Sequence, residues 1–329
     1  MENKLKGKFF LNRNIILVLL MGLLPLLFRD NSYFILLMCT TGIAIIVVSG
    51  LDILFGYSGQ ISLGHAAFYC IGAYTSAILS RNHHMPVFFT IFIGALLATF
   101  FAIIIAIPAV KLVHHFLALI TISFGQLTYL FVANTPRLTE GFSGMGFIPR
   151  PSIGGFEFFS NFSYFYLVYF FLLIFLIVKQ RLIDSSTGRA FIAIRENPHA
   201  SEGMGVDNRK FKVMAFAISA FYTGFAGALY AHLIGFISPE SFERPQSIIF
   251  LTMLLFGGVG NLYGPILGAV ALTAVSEYLQ LLGSYQMLVY GIFLLFIVVF
   301  IPSGISRGIN VRSIIFKGRK KGEGNHAGS

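Results

Sequence analysis

The fold class this sequence predicts is an all-α integral membrane protein: a polytopic bundle of about ten helical spans with broken or re-entrant helices and both termini cytoplasmic. Three observations predict it. Of the 329 residues, 56% are hydrophobic and 11% charged, against about 25% charged in a soluble domain. Apolar runs recur at 15–28, 33–55, 61–80, 86–110, 115–133, 163–178, 213–236, 247–260, 265–282 and 284–301, and several approach the roughly 20 residues that cross about 30 Å of hydrocarbon. Glycines and amide side chains interrupt these runs at two places, where a membrane helix is expected to stop and restart.

Taken in order, residues 1–14 form a basic arm carrying Lys4, Lys6, Lys8 and Arg13. The apolar run behind it has the outline of a signal peptide, but LLFRDNSY offers no small-residue cleavage site, so the run reads as a retained span. The transmembrane region extends over 15–303, and a second basic tail follows over 304–329. With ten spans and the amino terminus inside, 18 of the 23 Lys and Arg fall on the cytoplasmic side, leaving Arg29, Arg81, Arg137, Arg150 and Arg244 outside. That bias satisfies the positive-inside rule, and an odd span count would spoil it. The net charge of +10 therefore follows from topology and anionic lipid headgroups, with no nucleic-acid partner needed. Cys39 and Cys70 lie in apolar runs without ligand spacing and read as small buried hydrophobes. Neither a metal nor a cofactor is expected. With no Trp in the chain, Tyr33, Tyr164 and Tyr285 near span starts are the candidates for the interfacial belt.

The first interruption is GYSGQISLGHAAFYCIGAY at 56–74. Its glycines let the helix break, and Ser58, Gln60, Ser62 and His65 supply partners for the backbone groups so released. Gly72 and Ser76, like Ala73 and Ala77, are spaced for close approach of a second helix, and Gly264 and Gly268 repeat the device. The stretch reads as a broken or re-entrant element facing a cavity, and packing alone is the competing account of its small residues. LFGYSGQ at 54–60 is echoed by LFGGVGN at 255–261, which brings Asn261 into the candidate translocation path beside Ser58, Gln60, Ser62, His65 and Gln126. Corresponding broken helices mark the path in many transporters, although seven glycine-rich residues also match by chance. Ionisable residues inside spans are few: Asp52, His65, His114, His115, His232 and Glu277. An ion-coupled carrier would carry more carboxylates at mid-depth.

Two hydrophilic segments separate spans. Residues 134–162, outside, are rich in Gly and Pro and read as a loop ordered by turns without a helix of its own, either a docking surface or a passive connector. Residues 179–212, inside, carry helix punctuation: Asn197 as N-cap with Pro198 at the first helical position, Gly203 and Gly205 at a stop, and Asp207 or Asn208 capping the next helix. Phe191 and Ile194 give that short helix an apolar face suited to a partner's groove, the other account being a basic loop held near lipid. No GxxxxGK[ST], HExxH or GxSxG occurs, so the chain is expected to hydrolyse no ATP and to be no enzyme.

The motifs GYSGQISLGHAAFYCIGAY, SFGQL, LTEGFSGMGFIPRP, GRAFIAIRENPHASEGMGV, SAFYTGFAGALYAHLIGFISPESF and FGGVGNLYGPILGA together resemble the LivM-type permease subunits of branched-chain amino acid ABC importers, from about Gly50 to Ser303. The resemblance implies a bacterial or archaeal plasma-membrane protein that pairs with a second, related permease. It also implies two cytoplasmic ATPase subunits and an extracytoplasmic solute-binding protein. On this reading the 179–212 segment couples to the ATPases through Arg195, Glu196, Asn197, Glu202 and Gly205. Two departures stand out: Gln126 replaces a commonly acidic residue, and Glu140–Gly141 replaces a commonly Gly-Gly pair. Permeases of urea and short-amide importers are closely similar, so the amide class stays open beside branched-chain and related hydrophobic amino acids. A stand-alone channel or carrier remains a third reading.

Overall fold

The computed structural model describes residues 31–110, 114–153, 156–280 and 283–285, with scattered positions at 22, 25, 26, 28, 29, 288, 289, 291, 292 and 295. The basic arm, most of the first predicted span, Lys111, most of the last predicted span and the basic tail lie outside the described residues.

The described residues are almost wholly helical. α1 (Ser32–Asp52) starts where the Asn31 side chain accepts from Phe34 N and runs into a π turn at Ile53–Tyr57. Then come α2 (His65–Asn82), α3 (Val87–Ala109), α4 (His114–Ala133), the single turn α5 (Pro136–Thr139), α6 (Asn161–Asp184), α7 (Ser186–Glu196), α8 (Pro198–Gly203), α9 (Asn208–Ile234), α10 (Arg244–Gly257) and α11 (Tyr263–Gln280). Among the described residues five helices are long and apolar enough to cross a membrane: α1 with its π turn, α3, Phe116–Ala133 of α4, α6 and α9. α1 and α9 lie at the centre; α9 packs on α1, α2 and α3, α6 flanks α1, and α10 and α11 pair at its other side.

Sorting by size, not polarity, orients these helices. In α3 the face toward α9 carries Ala95, Ala98, Ala102, Ala106 and Ala109, all fully buried, while Phe89, Phe92, Leu96, Phe100, Ile104 and Ile107 point outward. Both faces are apolar, so hydrophobicity cannot choose between them; small residues gain van der Waals contact by bringing backbones together. Gly72 of α2 lies against the Gly224 backbone of α9, and a Cβ there would collide with it. The small residues at 72, 73, 76 and 77 thus serve the helix contact expected of them. Tyr164 and Tyr222 stitch α6 to α9 by donating to Leu229 O at 2.7 Å and Phe175 O at 3.0 Å.

The 134–162 segment departs from expectation. It does contain a helix of its own: Pro136, whose fixed φ suits a first helical position, opens the turn α5, which Glu140 ends at φ 61°. A 3-10 turn at Gly141–Ser143, an antiparallel bridge between Met145 and Ile237, and the two-residue strands β1 (Ser152–Ile153) and β2 (Phe156–Glu157) follow. Arg81 and Glu140 pair at 2.6 Å across its edge. His232 Nδ1 sits 2.6 Å from Pro149 O, and its Nε2 bonds Ser76 Oγ at 2.7 Å. A backbone carbonyl only accepts, so Nδ1 carries the proton.

Candidate functional site

The break after α1 accounts for its own backbone. Ser58 N donates to Ile53 O, Gly59 N to Phe55 O and Gln60 N to Leu54 O, so the widened π turn closes the helix before the chain extends over 58–64. Pi turns of this kind are common at functional positions. α9 gives the direction of the extended piece. Gln60 Nε2 donates to Lys212 O at 3.1 Å, and His65 Nε2 bonds Ser219 Oγ at 2.8 Å. At 1.5 Å of rise per residue the chain has moved about 10 Å inward before α2 begins. The segment therefore runs parallel to α9, and α2 continues the same way, with Gly72 against Gly224 and Ser76 Oγ bonded to His232 Nε2. Two other helices hold it, since Leu63 N donates to Thr121 Oγ1 of α4 and Ala66 N, an orphan donor of the α2 terminus, to Ser247 Oγ of α10.

Four of the candidate path residues meet here. Ser58, Gln60, Ser62 and His65 are all buried; Gln60 Nε2 donates to Ser58 Oγ at 2.6 Å, and Ser62 Oγ lies 3.3 Å from His65 Nδ1. Gln60 Oε1 is buried without a partner. Gln126 stands apart on α4, half-buried beside Gly125, which has open space where a Cβ would go. Asn261 lies in the second interrupted loop, where its Oδ1 accepts from Gly264 N at 2.5 Å.

The two echoed loops are neighbours in space. A Cβ on Gly56 would lie 2.6 Å from Gly260 N and would strike Asp52 Oδ1. Asp52 binds this junction with both carboxylate oxygens: Oδ1 accepts from Gly260 N at 2.7 Å and Oδ2 from Lys179 Nζ at 2.8 Å. Lys179 Nζ also donates to Asn261 O at 3.3 Å, with the ring of Tyr57 beneath it at 5.9 Å. Both members of the pair are buried, at 0% and 1% side-chain exposure. Lys179 is thus no loop cation. α6 continues to Asp184, and the side chain turns into the protein. Sequence reasoning counted it among solvated cytoplasmic charges; its place at the end of an apolar run, one turn before Arg181, gave no sign of an acidic partner at position 52.

Beyond α6, the punctuation works as its chemistry requires. Asn197 accepts from Ala200 N at 3.0 Å with Pro198 as first residue of α8. Val206 N donates to Ser201 O and Gly205 N to Glu202 O, with Gly205 at φ 84°: a Schellman stop whose left-handed residue favours glycine. Asp207, not Asn208, caps α9, accepting from Lys210 N; Asn208 instead braces α8 through Ser201 Oγ and Pro198 O. One expectation is overturned. Phe191 and Ile194 are fully buried within this chain, Phe191 edge-on to Phe211, because the short helix lies on the bundle and spends its apolar face there. Exposed on the two short helices and the turn after them are Met204, at 87%, Ile192, Glu196, Asn197, Glu202 and Gly205. Arg195 is exposed too, with its Nη1 donating to Gly56 O.

Residues 33–298 match the family described as "Branched-chain amino acid transport system / permease component". The chain is 33% identical over 306 residues to the high-affinity branched-chain amino acid transport system permease protein LivM of Escherichia coli K12, covering 86% of this chain and 72% of that one. The corresponding LivM of Salmonella typhimurium is 32% identical with the same coverage. The probable LivM of Methanocaldococcus jannaschii is 24% identical over 80% of this chain and 90% of its own. No solved structure matches. The helix break, the paired glycine loops and the long apolar helices all fall within the matched residues, and the chain belongs to the branched-chain amino acid transport system permease family.

Proposed function

We propose that this chain is the membrane-spanning permease subunit of an ABC importer for branched-chain or related hydrophobic amino acids. In that assembly it pairs with a second related permease, two cytoplasmic ATPase subunits and an extracytoplasmic solute-binding protein. Both termini are cytoplasmic, about ten helices span the plasma membrane, and Ser58, Gln60, Ser62, His65, Gln126 and Asn261 line the translocation path. The observation that carries this reading is the likeness to LivM proteins over most of the chain. A physical feature supports it. α7 and α8 form a braced hairpin, anchored by Phe191 and Ile194 and presenting Met204, Glu196 and Glu202 outward. A fully exposed methionine on an element that also exposes two glutamates suits a protein groove better than bulk water.

The test is to co-express the chain with the ATPase subunits encoded beside it and to reconstitute the complex with the binding protein. Gly205→Val forces a β-branched residue into a left-handed turn, and Glu202→Lys reverses an exposed charge. Both variants are expected to insert normally, to lose ATPase co-purification and to lose ligand-stimulated hydrolysis. Full stimulation in both variants would exclude the hairpin as the ATPase contact, and ligand uptake by the chain alone in proteoliposomes would exclude the permease reading.

A further inference from the structure

We infer that Arg195 is a positioning residue that links the α7–α8 hairpin mechanically to both glycine loops of the membrane domain, with the buried Asp52–Lys179 pair as the link's inner end. This rests on the permease reading above.

Arg195 is the second-last residue of α7 and is exposed, yet its side chain reaches the first glycine loop. Its stem lies on Gly59, whose Cβ position is 3.1 Å from Arg195 Cγ, and its guanidinium donates to Gly56 O. The Cβ position of Gly260 is 3.3 Å from Nη1. One side chain therefore touches the first loop twice and the second loop once, and only glycine at 59 and 260, both at positive φ, lets it lie directly on backbone. The two loops are in turn joined to each other and to α6 through Asp52, Gly260, Lys179 and Asn261. The Arg195 side chain is thus the direct connection between α7 and the residues that precede the extended segment. A force on α7 is passed to Gly56 O through a charge-assisted hydrogen bond, which is stronger and more directional than a neutral one. Since the extended segment begins at Ser58, a shift of α7 either breaks that bond or moves the segment.

The inference differs from saying that Arg195 meets the ATPase. A residue facing the partner would affect assembly; a residue facing Gly56 affects what assembly transmits. The experiment uses the whole importer, with both permeases, both ATPases and the binding protein, in liposomes. A Ser58→Cys reporter is placed in a Cys39→Ala, Cys70→Ala background, and its reaction rate with a water-soluble maleimide is compared without nucleotide and after trapping with ATP and vanadate. Ser58 is buried, so labelling reports movement of the segment. In the parent the rate is expected to depend on nucleotide. In complexes that retain both ATPase subunits, Arg195→Gln is expected to reduce that dependence about tenfold, the order associated with one hydrogen bond to a charged group. Arg195→Lys, which keeps the charge but not the fork that spans two loops, is expected to recover part of it. Parental nucleotide dependence in Arg195→Gln overturns the inference. If the glutamine variant does not assemble, the lysine variant decides on the same criterion. A parent that couples uptake to ATP but shows no change at the reporter overturns the link and leaves the permease reading intact. A parent that binds no ATPase subunit overturns both.

Discussion

Breaking the Asp52–Lys179 pair from one side should be far more damaging than removing it whole. An exposed ion pair contributes about 0–1 kcal/mol, because water solvates whichever partner survives a substitution. Here water is excluded: the side chains are 0% and 1% exposed and the charged atoms lie 2.8 Å apart. In Asp52→Asn the ammonium keeps only Asn261 O, at 3.3 Å. In Lys179→Met the carboxylate keeps only Gly260 N, at 2.7 Å. Each single change should cost about 3–5 kcal/mol, the range for an uncompensated buried charge. The double variant strands neither charge and retains an acceptor for Gly260 N, so it should cost less than either single one. At about 2 °C per kcal/mol for a large chain, the singles should melt about 6–10 °C below the parent. The assay is the monodisperse fraction surviving heating in detergent, read by size exclusion. Raising salt should leave the difference unchanged, unlike the half-exposed Arg81–Glu140 pair, which salt should weaken. A double variant whose loss equals the sum of the singles would show that the charges do not interact.

Two further outcomes follow from the packing. Gly56→Ala places a methyl against Asp52 Oδ1 and 2.6 Å from Gly260 N, so it should abolish folded yield, whereas Gly203→Ala, which meets nothing within 4 Å, should express like the parent; equal yields would refute the loop contact. His232→Ala removes the donor that ties Pro149 O to α9, while Ser76 keeps Thr90 Oγ1 at 2.9 Å, so limited proteolysis within 134–160 of the purified protein should accelerate severalfold, with an unchanged rate counting against the anchor.

The parts of this molecule legible in its sequence are those where chemistry is local. Asn197–Pro198, Gly205 and Asp207 act through hydrogen bonds only a few residues long, and glycine among amides announces a helix break wherever it stands in an apolar run. The illegible parts depend on distant partners. Lys179 reads as one more cytoplasmic cation because the positive-inside rule counts charges without asking what each touches, and its counter-ion is 127 positions away. Phe191 and Ile194 show an apolar face but not what covers it, and their own bundle does. The echo of LFGYSGQ in LFGGVGN says nothing about proximity, yet the two loops share one carboxylate.

The backbone contact between α2, α3 and α9 has a consequence for how the domain can rearrange. Where large side chains interdigitate, rotamer changes absorb a few degrees of rotation between neighbours. Where Gly72, Gly94 and Gly224 bring main chain to main chain, there is nothing to yield, and a small relative turn meets carbonyl oxygen at once. Those three helices must travel as one block. Any opening of the domain then falls to the joints by which that block meets the other helices, among them 58–64 before α2 and 235–243 after α9.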